Sequence, residues 1–362
     1  MYGSAIAVAL RDSLLAEWAA PLGEGMAFES KELLKPPIAR AAYSDRSAWM
    51  FAEMSRLAYE KFESPAELLD VLAEKLAALE DRSRIKDEVA RFVREWLVPS
   101  GSGLATLKSS LAEADFQLVE TFNNGGTQAF LAKRDLDRVA VLAFRGTEKD
   151  FGDIRTDLDA RFYEVGGVKT HNGFQKAFEQ VEPIVRRAVS SLHGYSLYVT
   201  GHSLGGALAL VATRTLNADN IAACYTYGSP KVGNEEFGAA IKPPIYRVVN
   251  AADAVPRVPP TWAIEFVIFA SRFLPVPYLR AFLVRFLESF RGYRHHGDMR
   301  YLTPCKDDFD GLKLLSNPDI FDRARWLVQR LSVNLKFAAL DHGIAEYCKK
   351  LERYAISRIG PK

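Results

Sequence analysis

Ser203 stands in Gly201-His202-Ser203-Leu204-Gly205-Gly206, a Gly-x-Ser-x-Gly pattern that puts a serine hydroxyl at the tip of a very tight turn. The positions two before and two after the serine, Gly201 and Gly205, need minimal side chains for the chain to reverse there, so the spacing has a steric cause. An apolar run, YSLYVT (195–200), enters the turn, and ALALVATRTL resumes helical character after it. That is the strand-to-helix setting of a nucleophilic serine, whose chemistry is attack on an acyl carbon. A serine hydroxyl is a weak nucleophile, so a histidine base and a carboxylate to orient it are required; where the serine stands on a strand-to-helix turn of this kind they follow in the order serine, acid, histidine. Asp253 follows IYRVVN and Asn250-Ala251-Ala252, just beyond the C-terminal end of a predicted strand; the histidines after it are His295, His296 and His342. The helix start after Ser203 offers unpaired N–H groups, that of Leu204 first, to a developing oxyanion.

These residues need a scaffold. QLVETF and TQAFLAK alternate apolar with polar residues around Asn123-Asn124-Gly125-Gly126, which is hairpin composition. VAVLAF (139–144) is apolar throughout, as in a strand buried on both faces, and FQKAFEQVEPIVRRAVSSL reads as helix. IAACYTYGS and IYRVVN supply further strands, and strand alternating with helix predicts an α/β fold with a mostly parallel central sheet. The first hundred residues read as helices. Ser64, Pro65 and Glu67 form a capping box before Leu68, Leu72 and Leu76, and a second apolar face at Ile85, Val89, Phe92 and Trp96 ends at Pro99 and PSGSG. The expected organisation is a helical region at 1–110 packed on a catalytic domain at 111–362.

The chain of 362 residues is 48% apolar and 25% charged, with a formal charge of +2. That balance gives no field to recruit nucleic acid. Cys224, Cys305 and Cys348 are too few and too far apart for a disulfide framework or a paired zinc site, and the acids of DIRTDLDA show no spacing that demands a metal. The N-terminal stretch MYGSAIAVALRDSLLAEW lacks a leading basic residue and meets Arg11 and Asp12 early, so the default compartment is the cytoplasm, with non-classical export as the alternative.

Six blocks resemble, in order, the class 3 lipase family, the fungal-type triacylglycerol lipases of the α/β-hydrolase superfamily. They are AFRGTE (143–148), DIRTDLDA (153–160), HNGF (171–174), VTGHSLGGALA (199–209), YTYGSPKVGN (225–234) and RVVNAADAVPRVPP (247–260). YRHHGDMRYL (293–302) is similar to the block that follows, and ALDHGIAEYCKKL (339–351) to a late Asp-His pair ahead of a helix. The resemblance implies an α/β-hydrolase fold with Ser203 as nucleophile, Asp253 as triad acid and His342 as base. His295 and His296 fall in a block whose histidine is not the base, leaving them as bracing groups or alternative partners of the serine. Thr147 matches the family's second oxyanion donor beside Leu204; the alternative is that it only ends a strand. His202 reads as a packing residue, His171 lies in a block without a catalytic role, and His193 is a loop histidine. No cofactor and no metal are implied, and Asp157 would be a structural acid. The implied activity is carboxylic ester hydrolysis, first as a lipase on acylglycerols, otherwise as an esterase or phospholipase on other acyl esters. A silent binding protein on a hydrolase scaffold is the non-enzyme alternative. The implied partner is a lipid or acyl ester substrate, with no nucleic acid.

The chain departs from the family between VPP and the next histidine block, where Thr261 through Tyr293 intervene. Trp262, Phe266, Phe269 and Phe273 fall at helical spacing, as do Phe282, Phe286 and Phe290, with Pro275 and Pro277 between. Charges at Glu265, Arg272, Arg280, Arg285, Glu288 and Arg291 argue against a membrane span. Residues 262–291 therefore read as two amphipathic helices, either a cap or lipid-interface anchor or a segment packed on the core. EKDFGDIRTDL (148–158), matching the usual family lid, is strongly charged.

Overall fold

The computed structural model describes residues 27–36, 42–62, 98–124, 126–146, 162–165, 167–257, 292–306, 308–333 and 337–359, with positions 72, 76, 85, 86 and 89. The strands are β1 (Gln117–Asn124), β2 (Thr127–Arg134), β3 (Val139–Phe144), β4 (Phe162–Val165), β5 (Val168–His171), β6 (Ser196–His202), β7 (Ile221–Tyr227), β8 (Ile245–Asn250), β9 (Asp298–Leu302) and β10 (Leu314–Ser316). Eight of them form one sheet in the order β1-β2-β3-β6-β7-β8-β9-β10, while β4 and β5 make a separate hairpin. Pairing is parallel from β3 through β9 and antiparallel at both edges. This is the α/β fold with a mostly parallel central sheet that the alternation of strand and helix predicts.

All six residues of β3 are buried. Val139, Val141 and Ala143 belong to the core on one face and Ala140, Leu142 and Phe144 to the core on the other, which is why VAVLAF shows no polar alternation. The helices are α1 (Asp45–Leu57), α2 (Val98–Ala112), α3 (Asn172–Glu179), α4 (Glu182–Ser190), α5 (Leu204–Leu216), α6 (Glu235–Ala239), α7 (Ile320–Val333), α8 (Phe337–Leu340) and α9 (Ile344–Ile359). Core residues of α1, α2 and α9 cover the first face, and those of α3, α4 and α5 cover the second.

α1 is embedded rather than laid on the surface, with every residue from Ser47 through Leu57 buried. Ser44 caps it by accepting from the Ser47 N–H, and Phe51 stacks on Tyr198 of β6 with ring centres 4.6 Å apart. Two of its buried polar contacts are local: Arg56 pairs with Glu53 at 2.9 Å, and Ser55 Oγ lies 2.9 Å from Thr200 Oγ1 in β6. A helix buried all round has no apolar stripe, so no 3.6-residue period announces it.

Two expectations are corrected. The stretch read as one helix at 174–192 is two, α3 and α4, because Pro183 sits at the start of the second and cannot continue the first. Pro99 and the glycines after it do not end a helix but lie in the first turns of α2, where a proline needs no amide partner. The helices expected around 64–79 and 85–96 lie outside the described residues except at single positions. The insert at 262–291, the charged segment 148–158 and Thr147 also lie outside them. Among the described residues no helix is long and apolar enough to cross a membrane.

Candidate active site

β6 ends at His202, and Ser203 turns the chain into α5 with φ 56° and ψ −126°. A non-glycine residue there is strained, and the surroundings hold it: the Ser203 N–H donates to the Tyr227 carbonyl at 2.9 Å. The flanking glycines are set by close approach. A Cβ on Gly201 would overlap the Gly205 carbonyl, and one on Gly205 would overlap the Phe144 carbonyl at the end of β3. The residues before Thr147 thus pass directly over the serine turn. The Leu204 N–H opens α5, where no intrahelical acceptor exists for it.

His342 lies in the turn between α8 and α9 and brings the elements together. Its Nε2 is 2.9 Å from Ser203 Oγ, and its Nδ1 is 3.0 Å from both carboxylate oxygens of Asp253. Asp253 is fully buried beyond the end of β8 and accepts two further hydrogen bonds, from Tyr347 Oη at 2.6 Å and the Val255 N–H at 2.9 Å. Three donors thus satisfy the buried carboxylate. Because that carboxylate only accepts, Nδ1 carries the imidazole proton and Nε2 is left to accept from Ser203. Gly228, with φ +57°, floors this arrangement: a Cβ there would lie 2.6 Å from Asp253 Oδ2 and 3.1 Å from His342 Nδ1.

The residue before the histidine, Asp341, ties its turn to the loop that bears Asp253. Its carboxylate accepts from the Ala252 N–H at 2.9 Å and from Arg330 at 3.2 Å, and its carbonyl accepts from Asn250 Nδ2 at 2.9 Å. Buried Lys350 of α9 donates to Asn250 Oδ1 at 2.8 Å. The structure therefore joins Ser203, His342 and Asp253 in one hydrogen-bonded line and places Leu204 beside it.

The other histidines sit elsewhere. His295 donates to the Pro256 carbonyl at 2.5 Å and His296 lies against Phe237, neither of them on the serine. His193 is exposed on its loop, and His171 packs against Phe174. His202 does more than pack: Nδ1 is 2.8 Å from Tyr59 Oη and Nε2 is 2.6 Å from the His342 carbonyl. Tyr59, Tyr347, Gly228 and Asp341 escaped the sequence reading. Only Asp341 carried a signal, its adjacency to His342. A cleft of about 650 Å³ lined in part by Arg46, Arg300 and Arg358 opens at the far ends of α1 and α9 and holds no nucleophile–base pair.

Burial pushes His202, His295 and His296 down from the ordinary histidine value; His342 adds to the effect at His202, and Arg247 adds to it at His295. Such a histidine stays neutral when folded but takes a proton when unfolded below about pH 6.5, so each weakens the fold as pH falls through that value. The expected loss approaches about 1.4 kcal/mol per pH unit for each of His202 and His295, which are held well down, and is smaller for the half-buried His296. Chemical denaturation at several pH values between 7.5 and 5 checks this; a flat stability curve contradicts it.

Residues 141–262 match the family Lipase (class 3). That match covers about a third of the chain. It is similar to a lipase of Rhizopus niveus, 34% identical over 165 residues that make up 40% of this chain and 42% of the relative. It is also similar to a secreted mono- and diacylglycerol lipase of Fusarium solani, 36% identical over 37% of this chain and 44% of that one. The chain thus spans less than half the length of these relatives. The solved structure of lipase II from Rhizopus niveus covers 77% of this chain and 94% of its own at 23% identity, with a TM-score of 0.47. The cytoplasmic expectation is corrected here. It rested on an unrecognised leader, which carries no information on compartment, whereas similarity to a secreted lipase points to secretion.

Proposed function

We propose that the chain is a serine carboxylic ester hydrolase, acting as a lipase on acylglycerols, with 111–362 as the catalytic domain and 1–110 packed on it through α1. The observation that carries this reading is the line Ser203 Oγ, His342 Nε2, His342 Nδ1, Asp253 at 2.9 and 3.0 Å. Ser203 Oγ attacks the ester carbonyl carbon while Nε2 takes the hydroxyl proton, and the buried Asp253 carboxylate stabilises the imidazolium that forms. The carbonyl oxygen becomes an oxyanion facing the Leu204 N–H and, by the family pattern, Thr147; such fixed donors are worth about 3–4 kcal/mol each in transition-state stabilisation. Collapse of the tetrahedral intermediate breaks the ester C–O bond, and the alcohol leaves with the proton held on His342. Water then repeats the steps on the acyl-enzyme, releasing the acid and restoring Ser203.

The names of the relatives, lipase and mono- and diacylglycerol lipase, support acylglycerols as the substrate class. The aromatic segment 262–291, beginning nine residues after Asp253, supports contact with a lipid surface through that insert. A panel of p-nitrophenyl esters, emulsified triacylglycerols and phospholipids tests the substrate class, and emulsified acylglycerols are expected to be hydrolysed. Replacing Phe282, Phe286 and Phe290 together with Ser removes three aromatic side chains, each worth roughly 1.5–3 kcal/mol on leaving water. Emulsion turnover is expected to fall at least tenfold while a short soluble ester is turned over as before. Equal loss of both activities with a lower melting temperature contradicts the interfacial role.

A further inference from the structure

We propose that Tyr59 and His202 are positioning residues that hold the main chain of His342 in register with the strand bearing Ser203, an inference that rests on the hydrolase reading above. Tyr59 lies just past the end of α1, outside the 141–262 segment that matches the family, and is buried. Its hydroxyl is 2.8 Å from His202 Nδ1, and His202 Nε2 is 2.6 Å from the His342 carbonyl oxygen. The two imidazole rings lie 4.6 Å apart, centre to centre, tilted by 35°.

The chemistry of the groups fixes the direction of the chain. A carbonyl oxygen only accepts, so His202 Nε2 carries the proton; the neutral ring then presents a lone pair at Nδ1, and Tyr59 donates to it. Each member has one role: Tyr59 selects the tautomer of His202, and that tautomer anchors His342. The contact matters because His342 sits in a short turn between α8 and α9, and its side chain must meet Ser203 and Asp253 together. His202 precedes Ser203 in the chain, so the anchor and the nucleophile move as one piece. The Tyr59 hydroxyl also fills the space beside Gly146, where a Cβ would overlap it, and so abuts the turn leading to Thr147. In this way α1, which carries no chemical motif of its own, contributes to the geometry of the base.

Among the described residues, the groups facing His202 are Tyr59 past α1, His342 from the α8–α9 turn and Tyr347 from α9. With the Tyr59 hydroxyl removed, Nδ1 loses its donor and the neutral ring is no longer held in the tautomer that donates to the His342 carbonyl. The resulting defect lies in the placing of the base, so it falls on kcat and is relieved by a side chain that keeps an N–H at the Nε2 position, which loss of packing alone does not produce.

The test is steady-state hydrolysis of a soluble p-nitrophenyl ester by Tyr59→Phe, His202→Gln and His202→Leu between about pH 8 and pH 5.5, with melting temperatures. Tyr59→Phe is expected to lower kcat about 10- to 100-fold at unchanged KM, the range for small misplacements of a catalytic group. His202→Gln, which keeps an N–H near the position of Nε2, is expected to retain more activity than His202→Leu. An active wild type with Tyr59→Phe at wild-type kcat, or with His202→Gln no more active than His202→Leu, overturns this inference alone. A wild type that neither hydrolyses esters nor reacts with a fluorophosphonate overturns the hydrolase reading, and this inference with it.

Discussion

Ser203→Ala is expected to lower kcat for ester hydrolysis by about 10⁴-fold or more, as deletions of a triad nucleophile do, while leaving the fold in place. The substitution keeps the Cβ, so the strained turn at φ 56° is no worse tolerated, and the N–H still donates to the Tyr227 carbonyl. What is lost is one hydroxyl and its 2.9 Å hydrogen bond to His342 Nε2. Ser203 has 4% of its surface exposed, and alanine in its place leaves no buried polar group without a partner except Nε2 itself. Circular dichroism and thermal unfolding should therefore match the wild type. A folded Ser203→Ala variant that still turns over p-nitrophenyl esters within tenfold of wild type contradicts the mechanism.

His342→Ala is expected to be as inactive as the serine variant, and the double variant no worse than either alone, because nucleophile and base act as a unit. Asp253→Asn should lose about 10⁴-fold for a different reason. The amide can donate to Nδ1, which favours the tautomer with the proton on Nε2, so the imidazole no longer accepts from Ser203. The Val255 N–H donates to one carboxylate oxygen and the Tyr347 hydroxyl to the other, so the amide NH2 opposes one of these two donors, and Asp253→Asn should also lower the melting temperature. His295→Ala serves as the contrast, since its ring donates to the Pro256 carbonyl rather than reaching the serine. Near-wild-type kcat in His342→Ala, or inactivation by His295→Ala alone, contradicts the assignment of the base.

How much of this was legible in the sequence depended on how far each feature acts along the chain. The serine turn was readable because its constraint is local: Gly201 and Gly205 are needed within two residues of Ser203, and the close approaches at both glycines show why. The strands of the parallel sheet were readable because burial on both faces favours apolar runs, unbroken in β3. α1 was not readable as an element, since a helix buried all round carries no stripe, and Tyr59 carried no sign that it would meet His202 across 143 positions. Tyr347 on Asp253 and Gly228 beneath the acid–base pair were hidden for the same reason, since only the folded sheet brings them together. The compartment was misjudged because an unrecognised leader is silent about destination.

Covalent capture tests the central claim most directly. Wild-type protein treated with a fluorophosphonate, digested and analysed by mass spectrometry is predicted to carry one adduct, on the peptide containing Ser203, formed in proportion to the loss of esterase activity. His342→Ala is predicted to react at a small fraction of that rate. An adduct on another residue accompanying inactivation, or full ester hydrolysis by protein whose Ser203 peptide stays unmodified, would contradict the assignment of Ser203 as the nucleophile.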